Sequence, residues 1–326
     1  MGSSGSLPEV EVLLATYNGE RFLREQIDSI LNQDYANLRV LARDDGSTDG
    51  TVSILKEYEE RFPGRFRLMP PSAGTGGAKL NFLILMKEST ADYVCFADQD
   101  DVWLPTKVSL TWGAVERLVQ VRGADIPLLV FTDLRVVDQD GATLHPSFWQ
   151  RSGLEVQNVN RLARVLGENP VTGCTVMMNR NMCDLAKQMP EEATMHDRWV
   201  GLLAAALGAA EAMPVQTVLY RQHDRNAIGS RHLDDSMAGL AARAAKSGNR
   251  RSERKKSEAQ VEALLRVHGA QMTAEHRDLL EAYIRSGRSA SAWTRLATTL
   301  KYGFYRSGFL RTAATIWDLW RARSVD

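Results

Sequence analysis

Cysteine is almost absent from this chain: Cys95, Cys174 and Cys183 are the only three in 326 residues. So sparse and odd a set, placed in apolar segments, excludes a disulfide framework and a cysteine-rich zinc site. It reads as buried thiols in a reducing compartment, which points to the cytoplasm. Net charge is absent too, with 40 basic against 40 acidic side chains. That balance argues against nucleic acid as a partner, which calls for a basic domain. No run approaches the ~18–20 apolar residues of a membrane-spanning helix, and no secretory leader is visible. The opening MGSSGS (1–6) reads as an expression scar and is set aside. What is there is a chain that is 44 % hydrophobic, enough for a sizeable core in one large domain plus an accessory piece.

Strand-like and helix-like segments alternate through the front half. VEVLLAT (10–16), LRVLARDD (38–45), RFRLMP, DYVCFAD (92–98) and PLLVFTDLRVVD (127–138) read as strands. Between them, 20–33, 47–62, 78–89 and about 106–121 carry helical spacing; in the first, Phe22, Leu23, Ile27, Ile30 and Leu31 share one face. Alternation of this kind predicts β-α-β units in an open, mostly parallel α/β sheet. Further on, 171–180 and 215–223 read as strands and 196–208 as an apolar helix. Basic residues crowd 243–256, as a linker or a solvated helix end would. The expected division is a catalytic domain over 7–232, a basic linker over 233–257 and a helical region over 258–326.

In open α/β sheets, ligands bind beyond the carboxyl ends of the strands. Here three such ends are unusual: TYNG (16–19), RDDGSTD (43–49) and DQDD (98–101). Asp98 and Asp100, two apart, can face one ligand together. Carboxylates this close raise each other's pKa unless a positive charge sits among them, and hard oxygen donors suit Mg2+ or Mn2+. The plain structural reading is a solvated acidic loop. In RDDGSTD, Gly46 permits a turn and Ser47 to Asp49 are good helix caps. Capping does not explain Asp44 and Asp45 side by side. A carboxylate there can accept the imide N–H of uracil or thymine, with Thr16 and Asn18 close by. In TMHDRWVGL, Asp197 falls in the first turn of a helix, where an anion is stabilised. It can be a helix cap, or a base that takes a proton from an attacking hydroxyl. In YRQHDRN, His223 is a candidate metal ligand or a plain surface histidine, and Arg221 can neutralise a departing diphosphate.

Taken in order, LLATYNGERFLREQIDSILNQ, RDDGSTDGT, GGAKLNF and FADQDDVWLPTKV resemble the inverting family 2 glycosyltransferases of the GT-A fold, closest to the rhamnosyltransferase-like members of bacterial surface-polysaccharide pathways. The resemblance spans about Val10 to Arg225. It implies that Thr16, Tyr17 and Asn18 touch the nucleotide, that Asp44 reads the pyrimidine and that Lys79 makes a basic contact to the nucleotide. It implies that Asp98 faces the ribose and diphosphate, that Asp100 binds Mn2+ or Mg2+, and that Asp197 is the base. The donor implied is a UDP- or dTDP-sugar, and the acceptor a glycan or lipid-linked glycan. Arg198 departs from the commoner pattern, in which an aromatic follows the acidic residue.

Two other readings compete. A sugar-nucleotide nucleotidyltransferase would show a glycine-rich phosphate loop after the first strand, and TYNGERF matches it poorly. A non-catalytic glycan- or partner-binding member of the fold would have no use for Asp44, Asp98, Asp100 and Asp197 together. At the C-terminus, 293–323 mixes aromatics with Lys and Arg, with Trp293, Leu296, Leu300, Phe304, Trp317 and Trp320 spaced as a helical face. Such a stripe can pack on the catalytic domain or on a second copy of the chain, or can lie on the inner face of the plasma membrane as a peripheral contact.

Overall fold

The run VEVLLAT is buried along its whole length, as a strand covered on both faces must be. The computed structural model describes residues 7–71, 74–223, 247–289, 291–308 and 311–312. In it that run forms β1 (Val10–Thr16), followed by α1 (Leu23–Leu31), β2 (Leu38–Asp44), α2 (Thr51–Arg61), β3 (Phe66–Leu68), α3 (Ala78–Glu88) and β4 (Tyr93–Asp98). β3, β2, β1 and β4 pair in that order, all parallel. Successive side chains of β1 serve opposite cores: Val12 and Leu14 join α1 and α2 on one face, and Leu13 joins α3 on the other. α1 closes its layer with Leu23, Ile27, Ile30 and Leu31.

The open α/β sheet is as expected, and its parallel core ends at β4. Next come β5 (Val102–Trp103), α4 (Lys107–Arg122), β6 (Leu128–Val137), β7 (Thr143–His145), α5 (Phe148–Ser152), α6 (Leu162–Gly167), β8 (Val176–Asn179), α7 (Arg180–Ala186), α8 (His196–Leu207) and β9 (Ala209–Arg221). β8 is antiparallel to both β4 and β6, β9 runs parallel to β6, and β5 is antiparallel to β9. The second half is therefore mixed. β9 starts six residues before the strand expected at 215, because the chain turns straight out of α8. A Cβ on Gly208 would stand 2.1 Å from the Pro127 carbonyl oxygen, so only glycine allows that approach.

Two registers set the site. Thr16 lies beside Asp44 and Ala15 beside Asp98, so the carboxyl ends of β1, β2 and β4 finish level. Val102 opposite Leu219 brings the end of β9 to the segment after β4.

The C-terminal helices are α9 (Ser247–His268), α10 (Ala274–Arg288) and α11 (Ala292–Tyr302). The expected linker does not end at 257: residues 247–257 are already α9, and 233–246 lie outside the described residues. α9 docks on the catalytic domain. Its buried Gln260 accepts from the Thr194 N–H at 2.7 Å and from the Thr194 hydroxyl at 2.8 Å. The C-terminal stripe splits: Phe304 is buried, while Trp293 and Leu300 are 69 % and 55 % exposed. Trp317 and Trp320 lie outside the described residues. No helix among the described residues is long and apolar enough to cross a membrane.

Candidate active site

Asp44 ends β2 and organises the turn that follows. One carboxylate oxygen accepts the N–H groups of Gly46 at 3.0 Å and Ser47 at 2.7 Å; the other accepts the hydroxyls of Ser47 at 2.5 Å and Thr16 at 3.0 Å. Thr16 has a second acceptor, the Arg43 carbonyl at 3.3 Å. A hydroxyl has one proton, so swinging it to Arg43 opens a lone pair on Asp44 for a ligand N–H. Asn18 is the only described non-glycine residue with positive φ, at 49°, a conformation asparagine tolerates. Its N–H donates to Ser47 Oγ at 2.8 Å and its Oδ1 accepts from the Thr48 N–H at 2.8 Å, which fastens the end of β1 to the turn after β2. Tyr17 projects between them, 56 % exposed.

Asp45, adjacent to Asp44, does different work. It is buried, pairs with Arg43 at 2.9 Å and accepts from the backbone of Thr75, Gly76 and Gly77. Burial pushes its pKa up, but those N–H groups and the guanidinium outweigh it and hold the carboxyl below its ordinary range. Lys79, expected at the nucleotide, is engaged by the loop before α8. Its ammonium donates to the carbonyls of Glu191 at 2.7 Å and Ala193 at 2.9 Å. With Gln260 on the other side, it clamps the loop that leads into α8.

At the end of β4 the acidic residues gather. Asp100 Oδ2 meets His223 Nε2 at 2.8 Å across 123 residues of sequence, and the His223 ring stacks on Phe22 with centroids 5.1 Å apart. Burial, then Asp100, then Asp197 push the Asp98 carboxyl up to about 7. Asp101 is fully buried. One of its oxygens accepts from the Arg221 N–H at 3.2 Å, the Cys174 thiol donates to its carboxyl, and its Oδ2 has no hydrogen-bond partner among the described residues. Burial, Asp100 and Asp98 push it well above the carboxylate range. Three carboxyl groups and an imidazole gather here, but among the described residues the ligand atoms that converge within 4.8 Å are those of Asp98, Asp101 and Cys174, while the expected ligands Asp100 and His223 pair with each other. Arg221 does not supply a positive charge to the cleft. It is buried, and its guanidinium donates to the Asp100 carbonyl at 3.0 Å, the Gln139 carbonyl at 2.7 Å and Glu25 at 2.6 Å. It fixes the acidic loop from behind.

Asp197 stands in the first turn of α8, where Met195 is the N-cap. Its Oδ1 accepts from the Arg198 N–H at 2.5 Å, and the Gly173 N–H also binds it. Burial raises its pKa and these N–H groups and the Arg198 charge pull it part of the way back, leaving it at about 6. It is ionised at neutral pH and still basic enough to accept a proton. It adjoins the acidic rim through Gly173 and Cys174: a Cβ on Gly173 would fall 3.5 Å from Asp197 Cβ, and Cys174 Sγ lies within 4.8 Å of carboxylate oxygens of Asp98 and Asp101. Beside it His196 is buried between Phe82 and Phe96, ring centroids 4.1 and 5.0 Å away, and burial lowers its pKa to about 3. A neutral aromatic wall therefore flanks the carboxylate. Arg198, where an aromatic was the commoner expectation, turns outward to the Leu166 carbonyl and Ser257 Oγ, both at 3.2 Å.

The structure thus gathers Thr16, Asn18 and Asp44 at one end and Asp98, Asp100, His223 and Asp197 at the other. Lys79 and Arg221 take supporting places. Sequence reasoning gave no role to Gln99, Asp101, Gly173, His196 or Gln260. Only Asp101 carried a signal, as the third carboxylate of DQDD.

Such a sheet, with a closely hydrogen-bonded turn after β2 and an acidic rim at β4, has the architecture of the GT-A fold. Residues 11–121 match the family described as Glycosyl transferase family 2. The dTDP-rhamnosyl transferase RfbG of Shigella flexneri is 27 % identical over 228 residues, 67 % of this chain and 74 % of that protein. Among solved structures, S. aureus TarS 1-349 in complex with UDP-GlcNAc superposes with a TM-score of 0.52 at 16 % identity, covering 95 % of this chain and 89 % of that one. Mannosyltransferase PcManGT from Pyrobaculum calidifontis, in complex with GDP-Man and Mn2+, gives a TM-score of 0.50 at 19 % identity, covering 96 % and 87 %. Residues 11–121 thus match family 2 of the glycosyltransferases, and about two thirds of the chain is similar to a dTDP-rhamnosyl transferase.

Proposed function

We propose that this enzyme moves a sugar from a UDP- or dTDP-sugar to a hydroxyl of a lipid-linked glycan, inverting the anomeric centre, with Mn2+ or Mg2+ bound. The observation that carries the reading is the Gly173–Cys174 step: a Cβ on Gly173 would fall 3.5 Å from Asp197 Cβ, and the next residue, Cys174, has its sulfur within 4.8 Å of carboxylate oxygens of Asp98 and Asp101, so the candidate base stands one residue away from the acidic rim. Asp44 accepts the imide N–H of the base once Thr16 turns to Arg43, and Asn18 holds the turn beneath it. Cytosine, with an acceptor at the same ring position, is refused. Asp98 meets the ribose and diphosphate. A divalent cation on Asp98, Asp100 and His223 would stabilise the charge that develops on the leaving diphosphate.

Asp197 takes the proton of the acceptor hydroxyl as its oxygen bonds to the anomeric carbon from the face opposite the diphosphate. The bond from that carbon to the diphosphate oxygen breaks, and its electron pair leaves with the nucleoside diphosphate. One displacement gives one inversion. Holding hydroxyl, base and carbon in line is worth up to roughly 7–11 kcal/mol of the barrier in favourable cases. RfbG supports a dTDP-sugar and the TarS complex a UDP-sugar. A hydrolysis and transfer screen over nucleotide sugars tests the donor; if only guanosine or adenosine diphosphate sugars turn over, the reading of Asp44 is wrong.

A lipid-linked acceptor is supported by the outer face of α11. Trp293 and Leu300, seven residues apart, are exposed there with Lys301, and no Asp or Glu occurs anywhere in 282–317. Such a face suits the inner surface of the plasma membrane. Flotation of the full chain with anionic vesicles, against Trp293→Ser with Leu300→Ser, tests it. Equal recovery of both in the unbound fraction removes the membrane from the proposal.

A further inference from the structure

We propose that Gln99, the middle residue of the acidic motif, is a positioning residue for the nucleobase and contributes nothing to the metal. Its side-chain amide closes a two-point bond on one residue of another loop. Gln99 Oε1 accepts from the Tyr17 N–H at 2.7 Å, and Gln99 Nε2 donates to the Tyr17 carbonyl at 2.9 Å. The parallel ladder between β1 and β4 stops at Ala15 and Asp98. Beyond it the Gln99 amide stands in for a strand peptide and carries the pairing on to Tyr17.

The neighbourhood is built around that amide. A Cβ on Gly19 would fall 2.2 Å from Gln99 Oε1, so position 19 must lack a side chain for Gln99 to sit where it does. On the other side Asn18 is held by Ser47 and Thr48. Gln26 Nε2 donates to the Asp98 carbonyl at 2.8 Å and fixes the strand end from which Gln99 reaches. Both backbone polar groups of Tyr17 are thus spoken for by Gln99, while its ring stays exposed at the rim. A fixed backbone under an exposed aromatic ring is what a base-stacking platform requires.

This inference rests on the proposed pyrimidine donor and assigns the platform within that site. It predicts a split inside a three-residue motif: Asp98 and Asp100 act on the cation and diphosphate, and Gln99 acts on the base through Tyr17. The test is calorimetric titration of the full chain with UDP and dTDP, in EDTA and in Mn2+, for wild type, Gln99→Ala, Tyr17→Ala, the double variant and Asp100→Asn. Thermal unfolding confirms that each variant is folded. Gln99→Ala is expected to weaken binding roughly 10-fold in both EDTA and Mn2+, the scale of one lost base stack. Asp100→Asn should weaken it in Mn2+ alone. In the Tyr17→Ala background, Gln99→Ala should cost nothing more. Gln99→Glu keeps an acceptor for the Tyr17 N–H but sets an acceptor against the Tyr17 carbonyl, so it should not restore affinity. A Gln99→Ala loss that vanishes in EDTA, or one that adds fully to Tyr17→Ala, overturns the assignment. If wild type binds neither nucleotide in EDTA or Mn2+, the pyrimidine donor fails first and this assignment falls with it. Wild-type binding with an unaffected Gln99→Ala sinks this assignment alone.

Discussion

Asp98 offers a measurement that needs no substrate. Its carboxyl is held at about 7 in the folded chain, against ~3.9 in an unfolded one. A carboxylate with a raised folded pKa binds its proton more tightly when folded, so its ionisation destabilises the fold and acidification restores stability. Between pH 8 and pH 6 the folded Asp98 takes up most of a proton and the unfolded one takes up almost none. The linkage is worth between about 1 and 2 kcal/mol over that interval. For 326 residues, unfolding entropy is on the order of 0.7 kcal/mol per degree, so Tm should rise by roughly 2 °C from this group. His196 works the other way. Its pKa is lowered to about 3, so acidification protonates it in the unfolded chain first, at a cost under ~1 kcal/mol. The comparison must therefore be differential. Asp98→Asn removes the first effect and keeps the second, and wild type should gain roughly 2 °C more than the variant between pH 8 and pH 6. Circular dichroism melts in chelator-treated buffer measure it. Mn2+ should raise the wild-type Tm more at pH 8 than at pH 6, since it competes with the same proton. Equal pH slopes for wild type and Asp98→Asn would refute the enclosed-carboxylate argument.

Asp197→Asn should lower turnover at least ~100-fold while UDP or dTDP affinity by calorimetry is unchanged; in wild type, kcat/KM should fall as pH drops through about 6, because the base is then protonated. Chelation with EDTA should abolish transfer, and Mn2+ should restore it, read as nucleoside diphosphate release. Gln260→Ala frees the loop that Thr194 ties to α9, so kcat should drop about 10-fold with donor affinity intact, since a small misplacement of a base is felt mainly in turnover. Arg221→Ala leaves the Asp100 and Gln139 carbonyls without their buried donor, while Glu25, 60 % exposed, is solvated by water, and chemical denaturation should show a loss on the order of 2 kcal/mol; unchanged stability would return Arg221 to a role in the cleft.

The sequence carried the strand ends and missed what connects them. Parallel strands finish level when their registers match, so three odd strand endings can be read as one rim from the sequence alone. The residue types at that rim are legible because carboxylates next to buried strands are costly and therefore informative. Periodicity was also enough for the first half, where each strand is covered on both faces. It faltered after β6 because the short helices α5, α6 and α7 are too brief to show a 3.6-residue period, and the antiparallel return of β8 leaves no mark in a strand that is buried throughout.

Lys79 and Arg221 show the sharper limit. A cation near a phosphate site reads as a phosphate ligand, yet Lys79 donates to carbonyls of the loop before α8, and Arg221 donates to the Asp100 and Gln139 carbonyls and pairs with Glu25. The choice between those roles depends on which carbonyls lie within reach, and reach is set by contacts 112 and 121 residues apart in sequence. The same holds for Gln99 and Gln260, neutral amides with no signature of their own. What they share is a task that charged motifs cannot perform on themselves. Like charges packed at Asp98, Asp100, Asp101 and Asp197 push their loops apart, and the loops stay in place because amides and guanidinium groups hold each backbone from outside the cleft. The chemistry of the site is written in its acidic residues, and its geometry in the uncommitted residues beside them.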